Sequence, residues 1–229
     1  MNNIAEQLNA AYHNIAENCQ KYGRDPASVT LIAVSKTKPA AAIREAYLSG
    51  QRQFGENYPQ ELLSKAAELT ELPELEWHFI GPLQSNKTRL VAEHTSWVHS
   101  IDRLKIAERL SAQRPETLGP LQVLLQINIS NEDSKAGISA AELPELAAAV
   151  AKLPLLQLRG LMAIPAPGDS ERAFAQMQQL SKSLQQQHPG ATELSMGMSD
   201  DWPLALQYGA TMIRLGTAIF GARTYERNE

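Results

Sequence analysis

The sequence has little of several features that mark whole classes of proteins. Cys19 is the one cysteine in 229 residues, so no disulfide can form within the chain, which fits a reducing compartment. The 21 basic residues do not outnumber the 25 acidic ones, and the net charge is −4. Without a basic excess there is no field to hold phosphate backbones, so nucleic acid is not expected as a partner.

Long apolar runs and metal-binding patterns are also missing from the sequence. No stretch approaches the roughly 18 apolar residues of a membrane span. The first residues carry Glu6 and Glu17 and lack the apolar run of a signal peptide. We therefore expect a cytoplasmic protein that does not enter a membrane. The five histidines form no H-E-x-x-H pattern, so no metal site is predicted.

Short apolar segments alternate with helical patterns along the rest of the chain. Strands are predicted at 29–34, 52–57, 76–81, 96–101, 121–129, 156–164, 192–196 and 211–216. Helices are predicted at 39–50, 59–69, 85–94, 103–113, 143–153, 170–188 and 200–208, with a short one in 217–223. A further helix precedes the first strand and ends at Gly23; its apolar face comprises Ile4, Leu8, Tyr12, Ile15 and Cys19.

Eight strand–helix units of this total length predict a (β/α)8 TIM barrel with an extra N-terminal helix. We expect residues 1–229 to form one domain. A doubly wound open sheet is the competing arrangement, but no G-x-G-x-x-G follows the first strand. At the helix starts, Asp102 is predicted to cap 103–113, and Ser139 with Glu142 to form a capping box before 143–153.

The loops after strands seven and eight predict a phosphate site, since this fold commonly holds phosphate there. Glycine allows close backbone approach, hydroxyls donate hydrogen bonds, and the first turn of a helix offers free amides. The candidate residues in these loops are Ser195, Met196, Gly197, Ser199, Gly216 and Thr217. An ordinary N-cap would explain Ser199 alone, but not both loops together.

Lys36 closes the first strand, in the same ring of strand ends as those loops. A lone lysine at a strand end is usually a solvated amine. In a partly dry pocket, however, a lysine amine attacks carbonyl groups. A lysine beside a phosphate site therefore suggests a Schiff base with a phosphorylated aldehyde, either a sugar phosphate or pyridoxal phosphate. Lys38 would point the same way if the extended backbone continued past Lys36, although a surface lysine is the simpler interpretation.

The sequence resembles the pyridoxal phosphate homeostasis protein family, which consists of single-domain relatives of the N-terminal barrel of alanine racemases. The resemblance runs nearly end to end. It rests on "AVSKTKP" (33–39), "FGENYPQE" (54–61), "WHFIGPLQSNK" (77–87), "INIS" (127–130), "GLMAI" (160–164), "LSMGMSDD" (194–201) and "RLGTAIFGAR" (214–223). Pro203 departs from the expected helix formers, but it falls in a first helical turn, where proline is tolerated.

The resemblance implies that pyridoxal 5'-phosphate is the cofactor and that Lys36 holds it as an aldimine. Arg214 would face the pyridine nitrogen. Other cofactor contacts implied by the resemblance are the phosphate-holding Ser195, Ser199, Gly216 and Thr217, and the ring-lining Asn57, His78 and Met162. Because the Arg214 guanidinium stays charged, it would disfavour a protonated pyridine nitrogen and leave the cofactor a poor electron sink.

We therefore expect a carrier that stores pyridoxal phosphate and hands it to other proteins, possible recipients being apo-enzymes that depend on it, rather than an enzyme. An amino-acid racemase is the alternative. Racemases of this fold take a tyrosine from a second domain of a partner subunit, which this sequence lacks, so a monomer is expected; Tyr58 or Tyr225 could substitute. A Schiff-base aldolase ranks lower and would need His78 or Asp102 as acid or base.

Overall fold

Eight parallel strands close into a barrel in the computed structural model, which describes residues 3–133 and 136–222. The strands are β1 (Thr30–Val34), β2 (Gln53–Glu56), β3 (Glu76–Phe79), β4 (Trp97–Ile101), β5 (Leu121–Ile127), β6 (Leu156–Ala163), β7 (Glu193–Ser195) and β8 (Met212–Leu215). Each strand pairs with the next, and β1 pairs with β8 with Thr30 beside Met212. The predicted barrel is confirmed, and the open sheet is excluded.

Helices follow the strands and form the outer layer. In the described residues they are α1 (Ile4–Lys21), α2 (Ala40–Leu48), α3 (Pro59–Glu68), α4 (Thr88–His94), α5 (Leu104–Gln113), α6 (Leu143–Val150), α7 (Ser170–Gln187), α8 (Trp202–Gln207) and α9 (Thr217–Phe220). None of them is long and apolar enough to cross a membrane. The described residues also contain no cluster of three or more histidine, cysteine, aspartate or glutamate side chains suited to a metal.

The two faces of the strands fill two separate hydrophobic regions. Alternate residues of β1 show this, because Leu31 and Ala33 join the large core between strands and helices, whereas Ile32 does not. Ile32 packs with Leu124, Met162 and Met212 in a smaller cluster inside the barrel. Burial on both faces explains why β1 and β5 are mostly apolar.

Helix α1 packs against α2, α8 and α9. It therefore completes the outer layer between α8 and α2, where α9 has only four residues. Its buried residues are Ile4, Leu8, Ala11, Ile15 and Cys19. The prediction is wrong for Tyr12, which is 46% exposed and donates its hydroxyl to Gln51 Oε1 over 2.5 Å. Burial raises the pKa of the Cys19 thiol, which fits a packing residue rather than a nucleophile.

The predicted helix starts have mixed outcomes. Asp102 does not cap α5: Arg103 occupies the N-cap position, and the Asp102 carboxylate accepts a hydrogen bond from its guanidinium at 2.9 Å instead. Ser139 and Glu142 do bond reciprocally as a capping box, in a turn just before α6. Pro203 lies in the first turn of α8, as predicted.

Candidate functional site

A cavity of about 140 Å³ opens at the carboxyl ends of the barrel strands. Its walls come from the ends of β1, β6 and β8 and from the loops after β2, β3, β7 and β8. The lining residues are Val34, Lys36, Asn57, Ile80, Ile164, Met198, Ser199, Arg214, Gly216 and Thr217. It combines one amine, one guanidinium, one amide and two hydroxyls with an apolar remainder, which suits a small anionic ligand that also has an apolar part.

Six of the predicted site residues line this cavity together: Lys36, Asn57, Ser199, Arg214, Gly216 and Thr217. Five others do not reach its wall: His78, Met162, Ser195, Met196 and Gly197. Among these five, His78, Met162, Ser195 and Met196 have no exposed surface at all. Ser195 nevertheless contacts the wall, because its hydroxyl oxygen accepts a hydrogen bond from Arg214.

Lys36 follows the end of β1 in a tight turn. The amide of Lys38 donates to the Ser35 carbonyl at 3.0 Å, and Thr37 adopts φ +65°. This turn breaks the extended geometry that would have pointed Lys36 and Lys38 the same way. Lys38 Nζ instead donates to the Ala222 carbonyl at 2.7 Å, so the second amine ties two loops together.

Asn57 contributes an unused acceptor to the cavity. Its Oδ1 atom is buried, and none of the described residues donates a hydrogen bond to it. Gly81 fixes the position of Asn57, because a Cβ at residue 81 would lie 2.2 Å from the Asn57 carbonyl oxygen. A buried carbonyl without a donor is costly, so this atom suits a ligand hydroxyl or N–H group.

Arg214 is a buried cation whose direct partners are neutral. Its Nη1 donates to Ser195 Oγ at 2.5 Å and its Nη2 to the Ala163 carbonyl at 3.1 Å. Burial lowers the pKa of this guanidinium to about 10, although the negative charge of Asp201 partly opposes the shift. Arg214 therefore remains charged at neutral pH and still has N–H groups available toward the cavity.

Behind Arg214, a chain of hydrogen bonds crosses the barrel through two buried histidines. Ser195 Oγ lies 2.8 Å from His99 Nδ1, His99 Nε2 lies 2.9 Å from His78 Nδ1, and His78 Nε2 lies 2.5 Å from Gln53 Oε1. Burial lowers the pKa of His78 to about 3 and that of His99 well below its usual value. Both rings are therefore neutral.

The tautomers of the two rings follow from the ends of this chain. Gln53 Oε1 can only accept, so His78 carries its proton on Nε2 and His99 donates from Nε2 to His78. His99 Nδ1 then accepts from the Ser195 hydroxyl, whose oxygen accepts from Arg214. His78 and Ser195 thus orient Arg214 from behind.

The loops after β7 and β8 bring two hydroxyls to the cavity. Asp201 shapes the first loop, since its Oδ1 accepts from the Met198 amide at 2.8 Å and places Met198 and Ser199 at the wall. Gly197 has φ +97°, and a Cβ there would lie 2.7 Å from the Ala205 Cβ. Residue 197 must therefore be a glycine for this loop to pack against α8. Thr217 begins α9 and lines the cavity from the second loop.

A second cavity of about 260 Å³ adjoins the first and shares Asn57, Ile80 and Ile164 with it. Gln126 and Asn128 add amide groups to its wall. The Asn128 amide already has a partner within the protein, since its Nδ2 donates to the Glu132 carbonyl at 2.9 Å. The shared wall gives the candidate site a wider opening on the β5 and β6 side.

Sequence reasoning missed Val34, Ile80 and Met198 as lining residues. The predicted sixth strand ends at Ile164, but the resemblance implies Met162 as the ring contact. Met162 lies in β6 and Ile164 directly follows it, two positions on and in the same cluster. The later residue is nearer the carboxyl end, so the direction of the strand already favours Ile164.

The side chains considered for other chemistries do not line the first cavity. Tyr58 is 53% exposed beside the start of α3, and Tyr225 lies outside the described residues. Asp102 pairs with Arg103 beside another groove, and His78 is buried.

The known proteins that are similar to this chain point to one family. A family model described as "Alanine racemase, N-terminal domain" matches residues 7–224. A pyridoxal phosphate homeostasis protein from Pseudomonas aeruginosa is 59% identical over 230 residues, which cover 98% of this chain and 98% of the relative. A protein of the same name from Escherichia coli K12 is 58% identical over 99% of this chain and 100% of its own length.

A solved structure is similar over nearly the whole barrel. PipY of Synechococcus elongatus, determined with PLP bound, superimposes with a TM-score of 0.79 and 46% identity over 95% of this chain and 100% of its own. These matches extend across all eight strands and every residue of the cavity wall falls within the family match. The chain therefore belongs to the alanine racemase N-terminal domain family and, within it, to the pyridoxal phosphate homeostasis proteins.

Proposed function

We propose that this protein binds pyridoxal 5'-phosphate in the first cavity and serves in the homeostasis of that cofactor. The observation that supports this best is the placement of Lys36 on one cavity wall with the hydroxyls of Ser199 and Thr217. An amine suits the aldehyde of the cofactor, and hydroxyl donors suit its phosphate. The PLP-bound state of PipY, 46% identical to this chain, supports the same ligand.

Each remaining polar group of the cavity has a matching group on the cofactor. The buried Asn57 Oδ1 needs a donor, and the phenolic hydroxyl of pyridoxal phosphate is one. Arg214 would approach the pyridine nitrogen and donate to it, while Ile80 and Ile164 would pack against the ring. Ser195 and His78 would act from behind the wall by orienting Arg214.

Lys36 would hold the cofactor as a Schiff base. Its Nζ amine would be the group that takes the aldehyde carbon, with the aldehyde oxygen released as water. When bound, pyridoxal phosphate supplies an electron sink for carbanions, which works best with a protonated pyridine nitrogen. The charge of Arg214, which remains at neutral pH, disfavours that proton. The residues therefore favour storage of the cofactor over chemistry on amino acids.

A carrier must also release its cargo. The second cavity adjoins the first along Asn57, Ile80 and Ile164. An incoming amine would therefore enter by the second cavity and approach the Lys36 amine from there. We propose that apo-enzymes dependent on pyridoxal phosphate receive the cofactor in the cytoplasm, and that the carrier acts as a monomer.

Borohydride trapping followed by peptide mass spectrometry tests the attachment. The purified protein is mixed with pyridoxal phosphate, reduced and digested, and the adduct is expected on the peptide that contains Lys36. Lys38→Ala is the matched control, because Lys38 bonds to Ala222 and not to the cavity, and it should keep the adduct at Lys36. Absence of any adduct in the unaltered protein would refute the proposal.

Delivery needs a separate measurement. The loaded protein, freed of excess cofactor by gel filtration, is added to an apo-enzyme whose activity requires pyridoxal phosphate. Activity should recover while the absorbance of the carrier's Schiff base declines in step. If the carrier keeps its cofactor over many hours beside excess apo-enzyme, its role is storage without delivery. Incubation with L-alanine should leave the optical rotation unchanged, and a steady loss would indicate a racemase.

A further inference from the structure

The peptide groups on both sides of Lys36 are held by one buried cluster of charges. The carbonyl of Ser35, which precedes Lys36, accepts from Lys65 Nζ at 2.7 Å. The amide of Thr37, which follows Lys36, donates to Glu61 Oε1 at 2.5 Å. Both anchoring side chains come from α3, so a neighbouring helix fixes the main chain of Lys36 from outside the barrel.

Lys65 is the centre of this cluster and has no donor to spare. It is 5% exposed, and its three N–H groups go to Ser35, to Glu56 Oε1 at 2.6 Å and to Glu61 Oε1 at 2.6 Å. The Ser35 hydroxyl also donates to Glu56 Oε1 at 2.6 Å. The three acceptors of the Lys65 ammonium group thus lie in the turn after β1, in β2 and in α3. They leave the group little freedom to move.

The backbone at Thr37 shows what the cluster imposes. Its φ of +65° lies in the left-handed region, which β-branched residues rarely adopt. The hydrogen bond from its amide to Glu61 holds the residue in that conformation. Backbone strain of this kind persists only where the surroundings enforce it, and it concentrates at functional sites.

We propose that Lys65 and Glu61 are positioning residues that fix the direction of the Lys36 amine, an inference that rests on the proposed attachment of pyridoxal phosphate at Lys36. A buried ion pair is often no more stabilising than an apolar pair of similar size, so packing alone does not explain this cluster. The cluster contacts the turn after β1 at Ser35 and Thr37, the two residues that flank Lys36. Holding both neighbours fixes the backbone from which the Lys36 side chain extends.

The rate of covalent trapping tests the positioning. Each variant is mixed with pyridoxal phosphate, and the adduct at Lys36 is quantified at short times after borohydride quenching. Glu61→Ala removes the acceptor of the Thr37 amide and should slow adduct formation about tenfold, because small misplacement of a reacting group is costly. Glu61→Gln keeps a side-chain carbonyl for that amide and should remain within about twofold of the unaltered protein.

Glu68→Ala is the matched control, since it removes the same side chain from the same helix at an exposed position away from the cluster. It should react at the unaltered rate. Glu61 is itself partly exposed, so thermal unfolding should show that both alanine variants remain folded. Slowing by Glu61→Ala alone supports the positioning role, whereas equal rates for Glu61→Ala and Glu68→Ala overturn it.

A second aldehyde separates positioning from simple loss of the amine. Formaldehyde with cyanoborohydride as the reductant methylates accessible lysine amines, and this small aldehyde can reach the Lys36 amine from several sides. Glu61→Ala should therefore be methylated at Lys36 at the unaltered rate while it reacts slowly with pyridoxal phosphate. Slowing by both aldehydes would overturn the positioning role. A protein that is methylated at Lys36 but never forms the larger adduct refutes the proposed function itself, and this outcome is distinct from a difference between the variants.

Discussion

Two buried cations lie at the same cavity, Lys65 behind its wall and Arg214 on it, and their partners differ. Lys65, beside the turn that bears Lys36, lies between the carboxylates of Glu56 and Glu61. Arg214, on the opposite side of the β1–β8 seam, donates to a hydroxyl and a backbone carbonyl, and no carboxylate of the described residues forms an ion pair with it. Both side chains are at least 95% buried.

The difference separates a charge that organises the protein from a charge left for a ligand. Two carboxylates close to Lys65 cancel its field, and its three donors are all used. Neutral partners leave the field of Arg214 largely intact inside the barrel, where the surroundings screen it weakly. Substitutions at the first cation should therefore have their larger effect on stability, and substitutions at the second should have theirs on the affinity for the ligand.

Lys65→Met should have the largest effect on stability. It leaves the fully buried Glu56 and the partly buried Glu61 without their cation, and breaking a buried pair costs about 3–5 kcal/mol. For a chain of this size the melting temperature should fall by about 10 °C. Thermal unfolding followed by circular dichroism measures the change.

The double variant Glu56→Gln/Lys65→Met is the control for that result, because it removes the stranded charge together with the cation. It should recover part of the lost stability. An unchanged melting temperature in Lys65→Met would show that the cluster contributes nothing to folding and would remove the contrast with Arg214.

Acidification should have the second-largest effect on stability. It acts through His78 and His99, whose hydrogen bonds lead to Arg214 by way of Ser195. The pKa of an unfolded histidine is about 6.5, whereas burial lowers the pKa of folded His78 to about 3 and that of folded His99 well below its usual value. The unfolded state thus takes up more protons as the pH falls, and stability decreases by up to about 1.4 kcal/mol per pH unit for each ring. For the two rings together we expect a loss of about 4 kcal/mol between pH 7 and pH 5.

Urea unfolding at a series of pH values measures this slope. The double variant His78→Gln/His99→Gln should show a much flatter profile below pH 6. Glu56 acts in the opposite direction, because burial raises the pKa of its carboxyl and lets the folded state hold a proton more readily. An equally steep profile in the double variant would assign the acid sensitivity to other groups.

Arg214→Met should cost less in folding than Lys65→Met and more in binding. The Ser195 hydroxyl and the Ala163 carbonyl lose a donor, for a penalty of about 2 kcal/mol. Affinity for pyridoxal phosphate should fall about tenfold, which corresponds to the loss of one charged hydrogen bond. Titration of the Schiff-base absorbance gives the affinity, and unaltered binding would contradict the separation of roles.

Glu71→Ala should have the smallest effect. Its carboxylate pairs with Arg44 at 2.6 Å on the surface, where solvent screens the interaction. The pKa of this exposed carboxyl is lowered mainly by its hydrogen bond with Arg44. We expect no measurable change in melting temperature or cofactor affinity, which makes this variant the exposed reference for the two buried cations.

The order and number of the strands were predictable because each strand of a parallel barrel is buried on both faces and leaves an apolar run in the sequence. Lys36 was predictable as a residue of the cavity wall because it closes the first strand in the ring that carries the phosphate loops, whereas Arg214 followed from the family resemblance. The residues at which helices begin were harder to predict from the sequence. Asp102 has the residue type of an N-cap, but its bond to Arg103 decides its position instead.

The supports behind the cavity could not be read from the sequence. Lys65 lies within an ordinary amphipathic pattern, and only the approach of α3 to the turn after β1 shows that it bonds to Ser35. His99 looked like one more strand residue, and its link to Ser195 joins positions 96 apart in the chain. Contacts of this separation depend on barrel closure and have no local signature.

The seam between β1 and β8 also constrains when the site can exist during synthesis. Thr30 pairs with Met212, so the barrel closes by joining segments separated by nearly the whole chain. Pairings of such long range form slowly, because the loop entropy must be lost before the contacts are gained. A nascent chain that has emerged only through β7 would present Lys36 without Arg214 or Thr217, and retention of pyridoxal phosphate would thus report that folding is complete.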